Sequence, residues 1–121
     1  MYRAFVHEAV VALEPGGDPR APGAAVTVEL CGGWEHRPPC PLAPHHTAHE
    51  PADGPDGYRL RILFAAEPDA EAEVRARITT ALGRGGLTGP DGVRTRWRLL
   101  AEGPGTPGPE EAEHALRLAG S

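Results

Sequence analysis

The sequence predicts an α+β fold, a two-layer sandwich in which two helices cover a four-stranded, mainly antiparallel sheet in the order βββαβα. Four segments alternate apolar and polar residues, which is typical of strands that bury one face. Two later segments carry apolar residues at helical spacing. At 121 residues the chain has the length of one domain with a modest core, so residues 1–121 are expected to form a single unit.

The first two strands are predicted in the first quarter of the chain. Residues 2–13 have an inward phase formed by Phe5, His7, Ala9, Val11 and Leu13. His7 belongs to that phase and is expected to be a core histidine. Residues 14–23 are rich in proline and glycine and predict a linker. Residues 25–30 predict the second strand, with three apolar residues facing inward: Val26, Val28 and Leu30.

The second half of the chain predicts two more strands and two helices. Residues 58–64 form the third strand, whose inward residues are Tyr58, Leu60, Ile62 and Phe64. Residues 68–82 predict a helix, with an apolar stripe formed by Ala70, Val74, Ile78, Ala81 and Leu82. The glycine-rich residues 83–92 predict a turn. Residues 93–99 form the fourth strand, with Val93, Thr95, Trp97 and Leu99 inward, and Pro109 opens a final helix.

Residues 31–57, between the predicted second and third strands, form a long Pro-rich loop that holds both cysteines and four of the six histidines. Loops longer than about 12–15 residues are uncommon in compact domains unless they are functional. The spacing is Cys31-x8-Cys40-x4-His45-x3-His49, or x5 and x2 when His46 is the third residue. This spacing resembles that of CCCH zinc fingers, with histidine in place of the third cysteine. The resemblance is confined to residues 31–49, and the RNA binding of that family is not carried over.

Two thiolates and two imidazoles suit tetrahedral Zn²⁺, although Cu(I) also accepts thiolate ligands. The sequence therefore predicts a metal site, most simply a zinc site, formed by Cys31, Cys40, His45, His46 and His49, with His36 as a spare ligand. Two alternatives stay open. Cys31 and Cys40 would form a disulfide if the protein were exported, or the segment would bind nothing.

The leading functional hypothesis is a small metal-binding protein whose Cys/His site has a structural or regulatory role. Four protein ligands make a closed structural site, whereas three ligands and a water make a site that can be catalytic. The alternative hypothesis is therefore a small metal-dependent enzyme, in which Glu35 or Glu50 would be the general base. The chain has no lysine and its only serine is Ser121, which excludes a Schiff-base lysine and a serine nucleophile elbow.

A third hypothesis is an anion- or nucleic-acid-binding module. It rests on a row of arginines in the polar phase of the last two predicted strands, namely Arg59, Arg61, Arg94, Arg96 and Arg98. The net charge of −5 and the expected presence of Glu8 and Glu29 on the same face favour an ion-paired, solvated surface instead. Nucleic acid is therefore not the expected partner. A protein partner, a small molecule or a second copy of the chain on the exposed sheet face remain the alternatives.

The compartment is predicted from what the sequence lacks. There is no apolar run of the roughly 20 residues that a membrane span needs, and no secretory signal pattern. A membrane is therefore not an expected partner. The expected localisation is cytoplasmic, where both thiols would stay reduced.

Overall fold

The computed structural model describes residues 1–31, 43–52, 54 and 56–118. Its strands are β1 (Arg3–Leu13), β2 (His45–Pro51), β3 (Gly57–Ala66), β4 (Gly86–Thr88) and β5 (Arg94–Gly105), and its helices are α1 (Ala21–Cys31), α2 (Glu71–Gly83) and α3 (Pro109–Leu118). The predicted α+β class is confirmed. The described residues contain five strands and three α-helices, where the sequence predicts four and two. None of these helices is long and apolar enough to cross a membrane.

The strands form one antiparallel sheet in the order β2-β3-β1-β5-β4. Helix α1 joins β1 to β2, which lie on either side of β3, and α2 joins β3 to the β4–β5 hairpin across β1. Apart from the short β4, the elements follow the order β1, α1, β2, β3, α2, β5, which is the split βαβ arrangement. It makes β2 an edge strand of the sheet and places it beside α1.

The main core lies between one face of the sheet and the helices α1 and α2. The strands contribute the inward phase that the sequence predicts, and α2 contributes the predicted stripe of Val74, Ile78, Ala81 and Leu82. Trp97 on β5 packs against this cluster, and its indole Nε1 donates a hydrogen bond to the carbonyl oxygen of Leu82 at 2.9 Å. The carboxyl end of α2 is thereby held against β5.

Helix α3 lies against the opposite face of the sheet, so the expected two-layer sandwich is wrong over this part. Ala115 packs against buried residues in the outward phase of β1 and β3, namely Val6, Leu63 and Ala65. Arg61 ties the helix to the sheet, because its guanidinium Nε lies 2.6 Å from Oε2 of Glu111. The half of this face that carries Val10 and Arg59 has no helix over it in the described structure.

Residues 25–30 are helical, which corrects the prediction of a second strand there. Helix α1 buries Ala21, Ala25, Val26 and Leu30, a spacing of four, one and four residues that is helical. Pro22 lies in the first turn, where a missing N–H breaks no helical hydrogen bond. The predicted linker is therefore too long, since its last residues already belong to α1.

The predicted loop over residues 31–57 is also partly wrong, because His45–Pro51 forms β2. Strand β5 continues to Gly105 after a register shift opposite Val10 and Val11, well beyond the predicted end at residue 99. Val93, predicted to face inward, precedes that strand and is 62% exposed. Strand β4 falls where the sequence predicts only a turn.

Candidate functional site

Strand β2 sorts its side chains into two rows on opposite faces of the sheet. Residues that are paired across two strands project on the same side. One row pairs with core residues of β3 and faces α1, and it consists of His45, Thr47 and His49. The other row pairs with Leu63, Arg61 and Arg59 and faces the opposite side, and it consists of His46, Ala48 and Glu50.

The row that faces α1 borders a groove of about 470 Å³ between β2 and α1. The groove is lined from the helix side by Pro19, Arg20, Gly23, Ala24 and Thr27, and His46 also borders it from the strand. Gly23 permits this close packing, because a Cβ atom at that position would lie 3.0 Å from Cγ2 of Thr47. The groove thus follows the interface between α1 and the edge strand β2, and polar side chains line it on the strand side.

His45 is oriented by two contacts at the end of this groove. Its Nδ1 lies 3.2 Å from the carbonyl oxygen of Ala43, and its Nε2 lies 3.0 Å from the hydroxyl of Thr27. Because a carbonyl oxygen can only accept, Nδ1–H donates to Ala43, while Nε2 faces a hydroxyl that also lies 3.3 Å from the carbonyl oxygen of Gly23. Nε2 of His45 is therefore directed towards α1. Metal-binding histidines are commonly oriented in this way, by a carbonyl that holds the other ring nitrogen.

Cys31 is the last residue of α1, four positions after Thr27. Residues four apart in an α-helix share one face. The backbone therefore brings position 31 to the same side of α1 that His45 contacts through Thr27. The other predicted residues of the cysteine segment, Glu35, His36 and Cys40, lie outside the described residues.

The remaining two histidines of the predicted metal set are not brought together with His45. His46 lies on the opposite face of the sheet, with its ring centroid 5.2 Å from that of His114 on α3. His49 shares the face of His45, but four residues of strand separate their backbones by roughly 13 Å. A tetrahedral zinc site holds its donor atoms within about 2.0–2.3 Å of the metal, so one ion does not take both rings.

No group of three or more His, Cys, Asp or Glu side chains that could hold a metal occurs within the described residues. The histidines of the predicted metal set are therefore divided by β2, which separates His45 from His46 by the faces of the strand and from His49 by its length. Glu50, a candidate general base, faces away from the groove and lies 3.8 Å from Arg59. Metal binding by this protein stays a prediction.

The predicted arginine face lies on the side of the sheet that α3 partly covers. Arg61 is bonded to Glu111, which raises the pKa of the guanidinium, and it also pairs with Glu8. Arg94 contacts the hydroxyl of Thr88 at 3.4 Å, while Arg96 and Arg98 follow it on β5. Anion binding and a homodimer on the open half of this face both stay predictions.

Glu29, which the sequence expects on the arginine face, lies instead on α1. It pairs with Arg77 and Arg84 of the neighbouring helix end, at 3.4 and 2.9 Å. His7 is buried as expected, with 4% of its surface exposed, and it contacts β5 and α2 rather than the groove. These residues serve packing between elements and are separate from the groove.

Sequence reasoning did not find three of the residues that line the groove, Arg20, Thr27 and Thr47. The first two were assigned to a linker and a strand, so no helix face was available on which to group them. Thr47 lay in the predicted loop. The one usable signal was the alternation of residues 45–49, in which two histidines flank a threonine at the period of a strand.

Comparison of the chain with known protein families, with curated proteins and with solved structures finds no match. The case for a function therefore rests on the geometry and chemistry of the groove and of the chain around it.

Proposed function

We propose that this protein binds one zinc ion through Cys31, Cys40 and His45, at the point where α1 ends and β2 begins. The observation that supports the proposal best is the orientation of His45. Its Nδ1 is held by the carbonyl of Ala43, and its Nε2 is turned to the helix that ends at Cys31. The role of the ion would be structural or regulatory.

A metal at this position would join two elements that the sheet alone does not bring together. Strand β2 is an edge strand with one hydrogen-bonded neighbour, β3, in the described structure. Ligand bonds from Cys31 and His45 would fasten its first residue to the end of α1. Binding to the folded form alone stabilises a protein by a free energy that grows with the logarithm of the affinity, so the ion would contribute directly to folding.

The fourth ligand decides between the structural proposal and its enzymatic alternative. His36 would complete a closed Cys/His site, whereas a water molecule would leave an open one. In the second case the protein would be a small metal-dependent enzyme. Glu35 would then be the candidate general base, because Glu50 faces the opposite side of the sheet.

Elemental analysis of untagged protein, purified under reducing conditions without chelators, tests the proposal. We expect about one zinc per chain, and less than about 0.2 would overturn the proposal because structural zinc is normally retained. Copper in place of zinc would assign the site to the softer ion. A thiol assay on denatured protein is expected to find both cysteines reduced, and a disulfide between them would contradict metal ligation.

Histidine variants provide a matched set, because three histidines lie within five residues of one another. We expect His45→Gln, Cys31→Ser and Cys40→Ser to lose the metal, and we expect His46→Gln and His49→Gln to retain it. Equal loss in His45→Gln and His46→Gln would contradict the assignment, because β2 puts these rings on opposite faces. Loss of folding in a protein with no assayable activity would favour the structural role, whereas an intact fold with lost turnover would favour the enzymatic one.

A further inference from the structure

The groove continues along β2 beyond His45, and we propose that this part binds a small oxyanion, the carboxylate or phosphate group of a small molecule. Its residues are Arg20, Thr47 and His49, none of which belongs to the proposed metal set. This anion site would neighbour the proposed zinc site but does not depend on it. The residues that line the groove all belong to the described part of the chain.

The first argument is the polarity of a row that faces inward. His45, Thr47 and His49 pair with Phe64, Ile62 and Leu60, which are fully buried in the core. A strand in this position normally carries apolar residues on that side. Here every member of the row has an N–H or O–H group that can donate a hydrogen bond. His45 already contacts Ala43 and Thr27, and His49 is exposed to solvent, so the unmet hydrogen-bonding demand of this row lies at Thr47.

The second argument is the hydroxyl of Thr47. Its Oγ1 is shielded from water and has no hydrogen-bond partner in the described part of the chain. Leaving a buried polar group unpaired costs roughly 1–3 kcal/mol, which is why such groups are rare. A hydroxyl can donate to an oxyanion, so a ligand oxygen that reached it would remove this cost.

The third argument is charge. The chain carries 17 acidic residues and a net charge of −5, yet no carboxylate lines this groove. Arg20 contributes a guanidinium at its rim. Asp18 accepts hydrogen bonds from Nε and Nη2 of that guanidinium at 3.1 Å, and no contact is formed by Nη1 in the described structure. Asp18 offsets part of the charge of Arg20 and also acts on His49, so the lining favours an anion through its hydrogen-bond donors and through the absence of carboxylates among the residues that line the groove.

The fourth argument is size. A volume of about 470 Å³ falls within the range of roughly 300–1,000 Å³ that small-molecule sites occupy. The groove is open along the edge of the sheet, so a ligand could present one anionic group to Thr47 and His49 and keep its remainder in solvent. A small metabolite with a terminal carboxylate or phosphate fits this description, whereas a long polyanion does not need such a recess.

The test uses the full chain with its own metal content and two separate probes, inorganic phosphate and acetate, at constant pH. Histidine ring signals are followed by NMR spectroscopy. We expect saturable shifts of the His49 ring, with the rings of His7 and His114 unaffected because they lie elsewhere in the fold. The probe that binds more tightly identifies the anionic group, and absence of a saturable His49 shift with either probe overturns the proposal.

Variants on the two faces of the sheet supply the controls. Thr47→Val keeps the shape of the side chain and removes the unpaired hydroxyl, so it is expected to fold normally and to weaken binding about tenfold. Arg20→Gln is expected to weaken it as well. Arg59→Gln removes a guanidinium from the opposite face and should change nothing. Equal weakening by Arg59→Gln and Thr47→Val would show nonspecific attraction and would overturn the proposal.

A metal-free sample separates this inference from the zinc proposal. Binding that persists after the metal is removed supports the groove as a site in its own right, whatever the outcome of elemental analysis. Binding that disappears with the metal, in protein whose circular dichroism spectrum is unchanged, means that the anion was a metal ligand, which overturns the groove as its site. Failure of zinc binding with intact phosphate binding would reject the proposed function and leave this inference standing.

Discussion

His7 and Glu102 are hydrogen-bonded beneath α2, with Nε2 of the imidazole 2.8 Å from Oε1 of the carboxylate. Arg75 on α2 approaches the other ring nitrogen, Nδ1, at 3.1 Å. Since a guanidinium can only donate, Nδ1 accepts and Nε2 carries the proton that is given to Glu102. The hydroxyl of Thr79 donates to the same carboxylate oxygen. Glu102 therefore links the central strand β1 to α2.

Removal of that carboxylate should destabilise the fold. Glu102→Ala leaves the buried Nε2–H of His7 without a partner, so we expect a loss of about 1–3 kcal/mol in the free energy of unfolding, measured by urea denaturation. Glu110→Ala is the matched control, because Glu110 is exposed at the start of α3, and its effect should stay within about 0.5 kcal/mol. Similar losses in both variants would contradict a special role for the His7 contact.

The ion pair between Arg61 and Glu111 predicts a dependence of stability on pH. The guanidinium of Arg61, helped by the backbone N–H of Gly108, lowers the pKa of Glu111 from 4.5 to about 2. A lowered pKa means that the folded protein favours the charged carboxylate. Its contribution is complete above about pH 4.5 and is lost as the pH falls towards 2.

We therefore expect Glu111→Gln to lower stability at neutral pH and to flatten the decline of stability over that acidic range, measured by denaturation at a series of pH values. Glu113→Gln is the control, because that exposed side chain lies 3.9 Å from Arg117. It should preserve the decline seen in the unaltered protein. An unchanged acid profile in Glu111→Gln would mean that other carboxylates dominate the response.

Two glycines at the end of α2 should respond in opposite directions to the same substitution. A Cβ atom at Gly83 would meet nothing within 4 Å, and its φ is not positive. We expect Gly83→Ala to stabilise the protein by about 0.4–1 kcal/mol, because alanine reduces the entropy of the unfolded chain.

Gly85 has a φ of +70°, and a Cβ there would lie 2.9 Å from the carbonyl oxygen of Trp97. Gly85→Ala should therefore destabilise the protein by more than Gly83→Ala stabilises it. Thermal unfolding of the two variants, side by side, checks the pair. A stabilised Gly85→Ala would show that this turn accommodates a side chain and that the close approach to Trp97 is not a constraint.

The predictable part of the fold is the part where one pattern holds over a long window. Strands β1 and β3 and helix α2 alternate or repeat over ten or more residues, and the structure has them nearly as expected. Residues 26–30 predict a strand because their apolar residues recur at every second position, but in the structure they belong to α1. Only the longer window from Ala21, which the presumed linker concealed, shows the helical spacing of the buried residues.

Strand β2 could not be predicted because its sequence has no apolar phase. Its residues are held in a strand by pairing with β3, a contact that depends on residues distant in the chain. The same omission affected the site. On a loop, His45, His46 and His49 would be neighbouring ligands. On strand β2, His46 faces the opposite side from the other two, and the length of the strand separates His45 from His49.

The pairing of β2 with β3 also sets the sign of the charge that the groove can accept. A slip of one residue would turn the strand over and present His46, Ala48 and Glu50 to α1 in place of His45, Thr47 and His49. The carboxylate of Glu50 would then take the place of His49 at the end of a recess now lined by donors, and the preference would change from anions to cations. Insertions upstream of Ala43 leave this selectivity intact, whereas a single residue inserted within the strand would invert it.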